Sequence, residues 1–306
     1  MSRLLAMEPF LKQHLVGQEQ VAPKTEDGRR KTEDGPTGVG KTELAKLSAQ
    51  YLFGLPAPSG ARQAGTDAAL IRLDMSEYME EHSVSKLVGS PPGYIGHDEE
   101  GQLTGRLRTK PYSVVLLDEV EKAHPRVMDM FLQVFDEGRL TDSKGRTADA
   151  RNAIFIMTSN LASQSREEKH MGFVPQEPAA ARASWAAAVG QHFRPEFINR
   201  IDEVVAFGPL SEDAVRTILK PMLDEIRDRL REQYGVAIEF GEGTEDYIVS
   251  VGYSPALGAR ELRRTVERLV QAPLSDMALS GRLKEHGNWQ MVRTAAGLSL
   301  VTLEPS

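Results

Sequence analysis

Apolar residues fall along this chain in two rhythms. Ala69-Leu70-Ile71-Arg72-Leu73, Val114-Val115-Leu116-Leu117 and Ala153-Ile154-Phe155-Ile156-Met157 are short, nearly continuous runs. Such runs predict strands covered on both faces, as in a parallel sheet. Residues 201–207 predict a further strand. Between these runs the period is helical. Residues 125–137 turn Val127, Met130, Phe131, Val134 and Phe135 to one side. Residues 2–14 do the same with Leu4, Leu5, Met7, Phe10 and Leu11, residues 43–52 follow a Gly-rich loop as a helix, and an Ala-rich helix spans about 179–193. Residues 57–66 and 142–151 read as polar loops, and 87–105 as a Gly-rich segment carrying Pro91, Pro92, Tyr94 and Ile95.

The pattern changes at Gly208-Pro209. Ser211 has the character of an N-cap, with Glu212 and Asp213 in the first turn of a long amphipathic helix reaching Tyr234. A strand at 236–240, a helix at 245–251, a helix at about 259–279 and strands at 289–294 and 298–303 follow. The reading is an α/β domain over 1–207 and a smaller α+β domain over 208–306.

Composition adds limits. A length of 306 residues suits about two domains. The absence of cysteine excludes a disulfide framework and a thiolate zinc site, and the seven histidines show no metal-binding spacing such as H-E-x-x-H. A net charge of −7 argues against a strongly basic nucleic-acid surface. No apolar run approaches the ~20 residues of a membrane span. Glu8 and Pro9 interrupt the apolar residues of the N-terminus, so no signal peptide is read. A cytoplasmic protein with neither nucleic-acid nor membrane partner is the expectation.

The candidate chemistry centres on Gly35-Pro36-Thr37-Gly38-Val39-Gly40-Lys41-Thr42, which fits the phosphate-binding pattern G-x-x-x-x-G-K-[ST]. Its glycines let backbone N–H groups turn inward around a β-phosphate. Lys41 brings a point charge to the β/γ oxygens, and Thr42 a hydroxyl for Mg²⁺. The following helix favours the anion through its N-terminal dipole. The run at 114–117 ends in Asp118-Glu119. At the carboxyl end of a buried parallel strand, Asp118 suits the Mg²⁺ shell, and Glu119 suits orienting and deprotonating the attacking water. The bland readings are a chance match in a Gly-rich loop and acids at a helix start; together the two motifs argue against both.

These stretches resemble the second ATPase module of the Clp family of AAA+ unfoldases and disaggregases, with its C-terminal small domain. The matching segments are 35–46, 73–96, 111–125, 138–160, 193–207 and 252–264, in family order across nearly the whole chain. The resemblance implies an α/β AAA+ parallel-sheet nucleotide-binding domain, ATP and Mg²⁺ as cofactors, and ATP-driven remodelling of unfolded or aggregated proteins by a homo-hexameric ring. It implies that Asn160 is the first sensor of the γ-phosphate. Arg200 becomes the finger that reaches a neighbouring subunit's nucleotide, and Arg260 the second sensor. Val16 falls in the segment lining the adenine pocket, and Tyr94 and Ile95 in the substrate-gripping pore loop. Met171-Gly172-Phe173 lies where protease-coupled relatives carry a tripeptide that docks a peptidase ring. From the residues alone, Asn160 reads as a turn residue, Arg200 and Arg260 as surface cations, Tyr94 as a partly exposed turn aromatic, and the tripeptide as a loop anchored on its own domain.

One departure stands out. The family carries an apolar strand before its phosphate loop, whereas here five of the seven residues 28–34 are charged and Lys-Thr-Glu-Asp-Gly occurs twice, at 24–28 and 31–35. Burying one unpaired charge costs several kcal/mol. The expectation is therefore a segment that stays solvated, a sheet that either lacks this strand or closes over the gap, and weak ATP binding. Two rival functions follow: a catalytically weak regulatory or assembly subunit, and a nucleic-acid-remodelling ATPase. Intact Glu119, Asn160 and Arg200 oppose the first, and the acidic balance and Gly93-Tyr94-Ile95-Gly96 oppose the second.

Overall fold

A computed structural model describes residues 30–34, 38–53, 69–94, 99–161, 190, 192–254, 257–283 and 287–303. The expected helix at 2–14, Val16, Gly35, Pro36, Thr37, the loop at 57–66, Ile95, the Met171-Gly172-Phe173 tripeptide and most of the Ala-rich helix lie outside the described residues. From Gly40 onward the chain divides between Gly208 and Pro209 into two compact units.

The first unit is built on five strands: β1 (Arg30–Asp34), β2 (Leu70–Asp74), β3 (Val114–Asp118), β6 (Ile154–Ser159) and β7 (Glu203–Ala206), in the order β2-β3-β6-β1-β7. Every pairing is parallel. In β3, Val114, Val115, Leu116 and Leu117 are all fully buried. This agrees with the continuous apolar run, since a strand covered on both faces has no polar side.

The expectation that the sheet lacks a strand before the phosphate loop is corrected. Arg30–Asp34 forms β1, paired with β6 from Arg30↔Phe155 to Asp34↔Ser159 and with β7 from Lys31↔Glu203 to Asp34↔Ala206. The expectation weighed side chains only. A strand between two parallel neighbours pairs its N–H and C=O groups on both edges, and β6 and β7 would otherwise each present an unpaired backbone edge. That backbone requirement is blind to residue type and overrides β-propensity.

Helix α1 (Lys41–Phe53) follows the phosphate loop, and α4 (Pro125–Glu137) follows β3 after two short helices, α2 (Val84–Val88) and α3 (Thr104–Thr109), have intervened between β2 and β3. Pro125 at the start of α4 pre-sets its backbone, and Gly138 ends it at φ 65°. Phe131 and Phe135 of α4 meet Phe155 of β6 edge-on, at ring-centroid separations of 6.4 and 5.3 Å. Phe135 also meets Phe197 at 5.9 Å, and Phe193 stacks on Phe197 at 5.3 Å. This aromatic cluster seats α5 (Pro195–Ile198).

The segment at 142–151, read as a polar loop, contains the second strand of a hairpin, β4 (Arg139–Thr141) with β5 (Thr147–Asp149). Its tip turns on Asp142, whose carboxylate is almost wholly buried. Asp142 accepts from the N–H of Lys144 at 3.0 Å and of Arg146 at 2.8 Å, and from Arg146 Nε at 2.7 Å. Burial opposes its charge, but the bonds from Arg146 and Lys144 outweigh that and hold its pKa below the ordinary carboxylate value. The hairpin is tied to the base of the Tyr94 segment by Ser143 N–H to Val88 O, 3.1 Å. There Leu103 N–H donates to Leu87 O, and Gly101 packs so closely that a Cβ would stand 2.3 Å from that oxygen.

In the second unit, α6 (Glu212–Tyr234) is capped by Ser211, whose hydroxyl accepts from Ala214 N–H, and it ends at Gly235 with φ 64°. A three-stranded sheet runs in the order β10 (Gly297–Leu303), β9 (Asn288–Thr294), β8 (Ala237–Phe240). Helix α7 (Thr244–Gly252) lies between β8 and β9 in sequence. The single helix expected over 259–279 is instead α8 (Ala259–Val266), a π turn at Glu267–Gln271, and α9 (Ala272–Leu279). Pro273 is the physical reason. It has no N–H for the preceding turn and its ring crowds the carbonyl four residues back, so the helix widens just before it. Among the described residues no helix is long and apolar enough to cross a membrane.

Two outcomes follow. Amide exchange at residues 31–34 is expected to be protected to the degree seen at 155–158; exchange at the rate of an unstructured peptide would remove β1 from the sheet. Asp142 has a depressed folded pKa, so its contribution to stability is present above the usual carboxylate value near ~3.9 and lost as pH falls through the lower folded value. Asp142→Asn should therefore shrink the difference between urea unfolding at neutral pH and at pH values below ~3.9; an unchanged difference would show that the carboxylate's charge is not what holds the hairpin.

Candidate active site

The carboxyl ends of β1, β6 and β3 stand side by side, which is where open parallel sheets bind ligands. The register aligns Asp34 with Ser159, so the phosphate loop leaves β1 beside the end of β6. Gly38 and Gly40 have φ of 77° and 109°, a region that residues with a Cβ rarely enter. Helix α1 then begins at Lys41, and Leu44 N–H to Gly40 O at 2.9 Å closes its first turn. The N–H groups ahead of that bond have no intrahelical acceptor, and with the helix dipole they favour an anion.

Lys41 is buried at 8 % exposure. Its Nζ donates to Ser159 O at 2.7 Å and to Asn160 Oδ1. An ammonium is buried only where oxygens surround it, and here two come from the end of β6. Thr42 is half-buried in the first turn of α1.

Asp118 closes β3. Its Oδ1 accepts from the Thr158 hydroxyl on β6, and its Oδ2 from Arg72 Nη2 on β2 at 2.7 Å. Glu119 follows in the left-handed region at φ 56°, ψ 55°, alone among the described non-glycine residues in having positive φ. That conformation costs ~1–2 kcal/mol for a residue with a side chain. Its N–H, which neither the ladder nor a helix can use, donates to Thr158 Oγ1 at 3.1 Å. A tight turn at Val120–Lys122 follows. Lys122 pairs with the Glu119 carboxylate, and that pairing holds the Lys122 ammonium above its ordinary pKa. Glu121 Oε1 accepts from Asn160 N–H at 3.2 Å, while its buried Oε2 has no hydrogen-bond partner among the described residues. Asp74, at the end of β2, accepts from the Ser76 hydroxyl and N–H, and those bonds lower its pKa despite partial burial.

The structure thus brings Lys41, Asp118, Glu119 and Asn160 to one sheet end. Arg200 stands elsewhere in the first unit, just after α5, where its Nε pairs with Asp136 of α4 at 2.8 Å; Arg194, before α5, pairs with Asp129 at 2.9 Å. Tyr94 ends a turn closed by its N–H to Pro91 O at 3.3 Å, and its ring is 72 % exposed. Arg260 is an exposed residue in the first turn of α8, in the second unit.

The donor set fits a magnesium-bound polyphosphate. Hard divalent cations take carboxylate and hydroxyl oxygens, with one or two carboxylates completed by substrate phosphates. Asp118 uses two of its roughly four lone-pair sites, leaving capacity for such an ion. Among the described residues no group of three or more His, Cys, Asp or Glu could form an all-protein metal site. Sequence reasoning missed Thr158, Glu121 and Arg72. The signal was present in part: Thr158 and Ser159 are the polar residues that end an otherwise apolar buried strand, and Arg72 interrupts Leu70-Ile71-Arg72-Leu73.

Comparison with known proteins sets this geometry in a family. Residues 30–204, more than half of the chain, match the profile of the AAA domain (Cdc48 subfamily), and residues 210–291 match that of the C-terminal D2-small domain of ClpB protein. The chaperone protein ClpB of Pseudomonas putida is 44 % identical over 295 residues, covering 92 % of this chain and 33 % of that protein. The ATP-dependent Clp protease ATP-binding subunit ClpA homolog of Cyanidium caldarium is 43 % identical over 309 residues, covering 94 % of this chain and 35 % of its own length. A cryo-EM reconstruction of Hsp104 in its closed state, with ATPγS and FITC-casein, superposes with a TM-score of 0.79 at 35 % identity, covering 99 % of this chain and 52 % of that one. The chain spans about a third of the length of the curated relatives it matches. It belongs to the nucleotide-binding AAA+ ATPases of the Clp family, as a second ATPase module with its C-terminal small domain.

Proposed function

We propose that this chain hydrolyses ATP and couples hydrolysis to unfolding and translocating protein substrates. The observation that carries the reading is the meeting of a buried Lys41, Asp118, Glu119 and Asn160 at the carboxyl ends of adjacent parallel strands. When bound, Mg²⁺ neutralises charge on the β- and γ-phosphates. In this reading Asp118 and Thr42 hold that ion, with Gly35, Thr37, Gly38, Val39 and Gly40 supplying backbone N–H groups to the phosphates, and Pro36, which has no N–H, only shaping the loop. Lys41 meets the phosphate oxygens, Glu119 orients water and takes its proton, and Asn160 senses the γ-phosphate through its side-chain amide.

The β1 ladder removes the ground on which weak ATP binding was expected, because the phosphate loop has its strand. Arg200 acts in trans on a neighbour's nucleotide, which requires a ring of copies; the proposed ring is a homo-hexamer. Arg260 contributes from the small domain, and Val16 from the adenine pocket. Tyr94 and Ile95 grip the polypeptide: an exposed ring on a glycine-flanked turn takes varied side chains without specific hydrogen bonds. Met171-Gly172-Phe173 is the segment proposed to dock a peptidase ring. The proposed substrates are unfolded or aggregated proteins. The reconstruction of Hsp104 together with casein supports a protein as the substrate class.

Glu119→Gln is expected to keep ATP bound while turnover falls ~10²–10⁴-fold, the range of general-base assistance. Undiminished steady-state hydrolysis would take Glu119 out of the chemistry. Tyr94→Ala should leave basal ATP turnover in place and stop unfolding of a tagged substrate, followed by loss of its fluorescence. Normal unfolding by that variant would sink the gripping role.

A further inference from the structure

The proposed reaction needs the Asp118 and Glu119 carboxylates held in fixed places, and neither is fixed by its own strand. β3 ends at Asp118, and Glu119 leaves it in a left-handed conformation that the chain would not adopt unaided. One side chain meets both residues. Thr158 lies next to the end of β6, 2 % exposed, and a hydroxyl offers one donor and two acceptor lone pairs. Thr158 Oγ1 donates its proton to Asp118 Oδ1 and itself accepts from Glu119 N–H at 3.1 Å. The first bond fixes the hydroxyl rotor, which leaves the lone pairs for the amide. The second gives a partner to an N–H that the left-handed turn removes from the β-ladder.

We infer that Thr158 is a positioning residue for the proposed hydrolysis. Its hydroxyl aligns the Asp118 carboxylate and locks the turn that presents Glu119. Arg72 steadies only the other oxygen of Asp118, from the opposite neighbour β2, and touches no backbone group of Glu119. Ser159, next in the strand, directs its hydroxyl to Leu161 N–H and its carbonyl to Lys41. Among the described residues, then, the link from β6 to the Asp118-Glu119 step runs through the Thr158 hydroxyl.

This inference rests on the proposed ATPase activity, and its test separates the two. Thr158→Val has nearly the shape of threonine and favours strands, so β6 is retained while the hydroxyl is lost. In the full chain, kcat for ATP should fall about 10–100-fold, the usual range for losing a group that orients a catalytic or metal-binding side chain. Amide hydrogen exchange at Glu119 should lose its protection. Thr158→Ser, which restores the hydroxyl, should recover most of both. Thr158→Cys, of similar volume but a weak donor, repeats the test if the valine chain does not fold. Glu119 protection and kcat both unchanged in Thr158→Val would overturn the inference, as would loss of protection with unchanged kcat or a serine variant no better than valine. If the unsubstituted chain turns over no ATP, the proposed function fails; Glu119 exchange then still decides whether the hydroxyl holds the turn.

Discussion

The structure depends on the pairing of β1 between β6 and β7. That ladder fixes where the phosphate loop leaves the sheet, and the Asp34↔Ser159 register puts its exit beside Asn160. The buried reach of Lys41 to Ser159 O follows from this placement. A slip of one residue would move the loop by ~3.3 Å along the strand, more than the length of the hydrogen bond that Lys41 makes. Because the ladder is a backbone interaction, it tolerates the charged sequence Arg30-Lys31-Thr32-Glu33-Asp34, on which side-chain reasoning had ruled against a strand.

The second constraint is the turn at Glu119. A residue with a Cβ in the left-handed region stays there only when its surroundings over-determine it. Here Thr158 holds its N–H, Lys122 holds its carboxylate, and the tight turn through Lys122 N–H to Glu119 O at 3.0 Å holds its carbonyl. Strain at an acid just past the end of a buried strand is thus offset by three contacts from two residues, Thr158 and Lys122. Asn160 is fixed by a comparable set, with Glu121 on its N–H and Lys41 on its side-chain oxygen. The ends of β3 and β6 are cross-linked by short polar contacts, so their carboxylates and amide share one geometry.

Much of this was legible in the sequence. The apolar runs at 114–117 and 154–157 gave β3 and β6, because full burial leaves a strand no polar face. The helical period placed α4 at 125–137, and Ser211 marked the start of α6. The candidate site residues Lys41, Asp118 and Glu119 stood out because phosphate chemistry uses those residue types where such strands end. Three features were not legible. β1 rests on backbone groups common to every residue. Thr158, Glu121 and Arg72 act across strands, and one-dimensional spacing does not encode which strand neighbours which. The hairpin at Asp142 was hidden because its strands are only three residues long and its organising carboxylate looked like one more polar loop residue.

In the proposed reading, the two ion pairs that flank α5 keep stability and function apart. Arg194–Asp129 and Arg200–Asp136 join α5 to α4 seven residues apart, two turns along one face. All four side chains are more than 40 % exposed, and pairs of that kind contribute ~0.2–1 kcal/mol. The burial of Phe197 against Phe135, with Phe193 stacked on Phe197, contributes far more, since removing one buried aromatic costs ~3–5 kcal/mol. The aromatic cluster therefore places α5, and Asp136 has only to choose the direction of the Arg200 guanidinium. In the proposed role in trans, Arg200 exchanges a weak, solvent-exposed partner for a phosphate at little cost. A buried ion pair would not permit this, because separating it leaves an uncompensated charge.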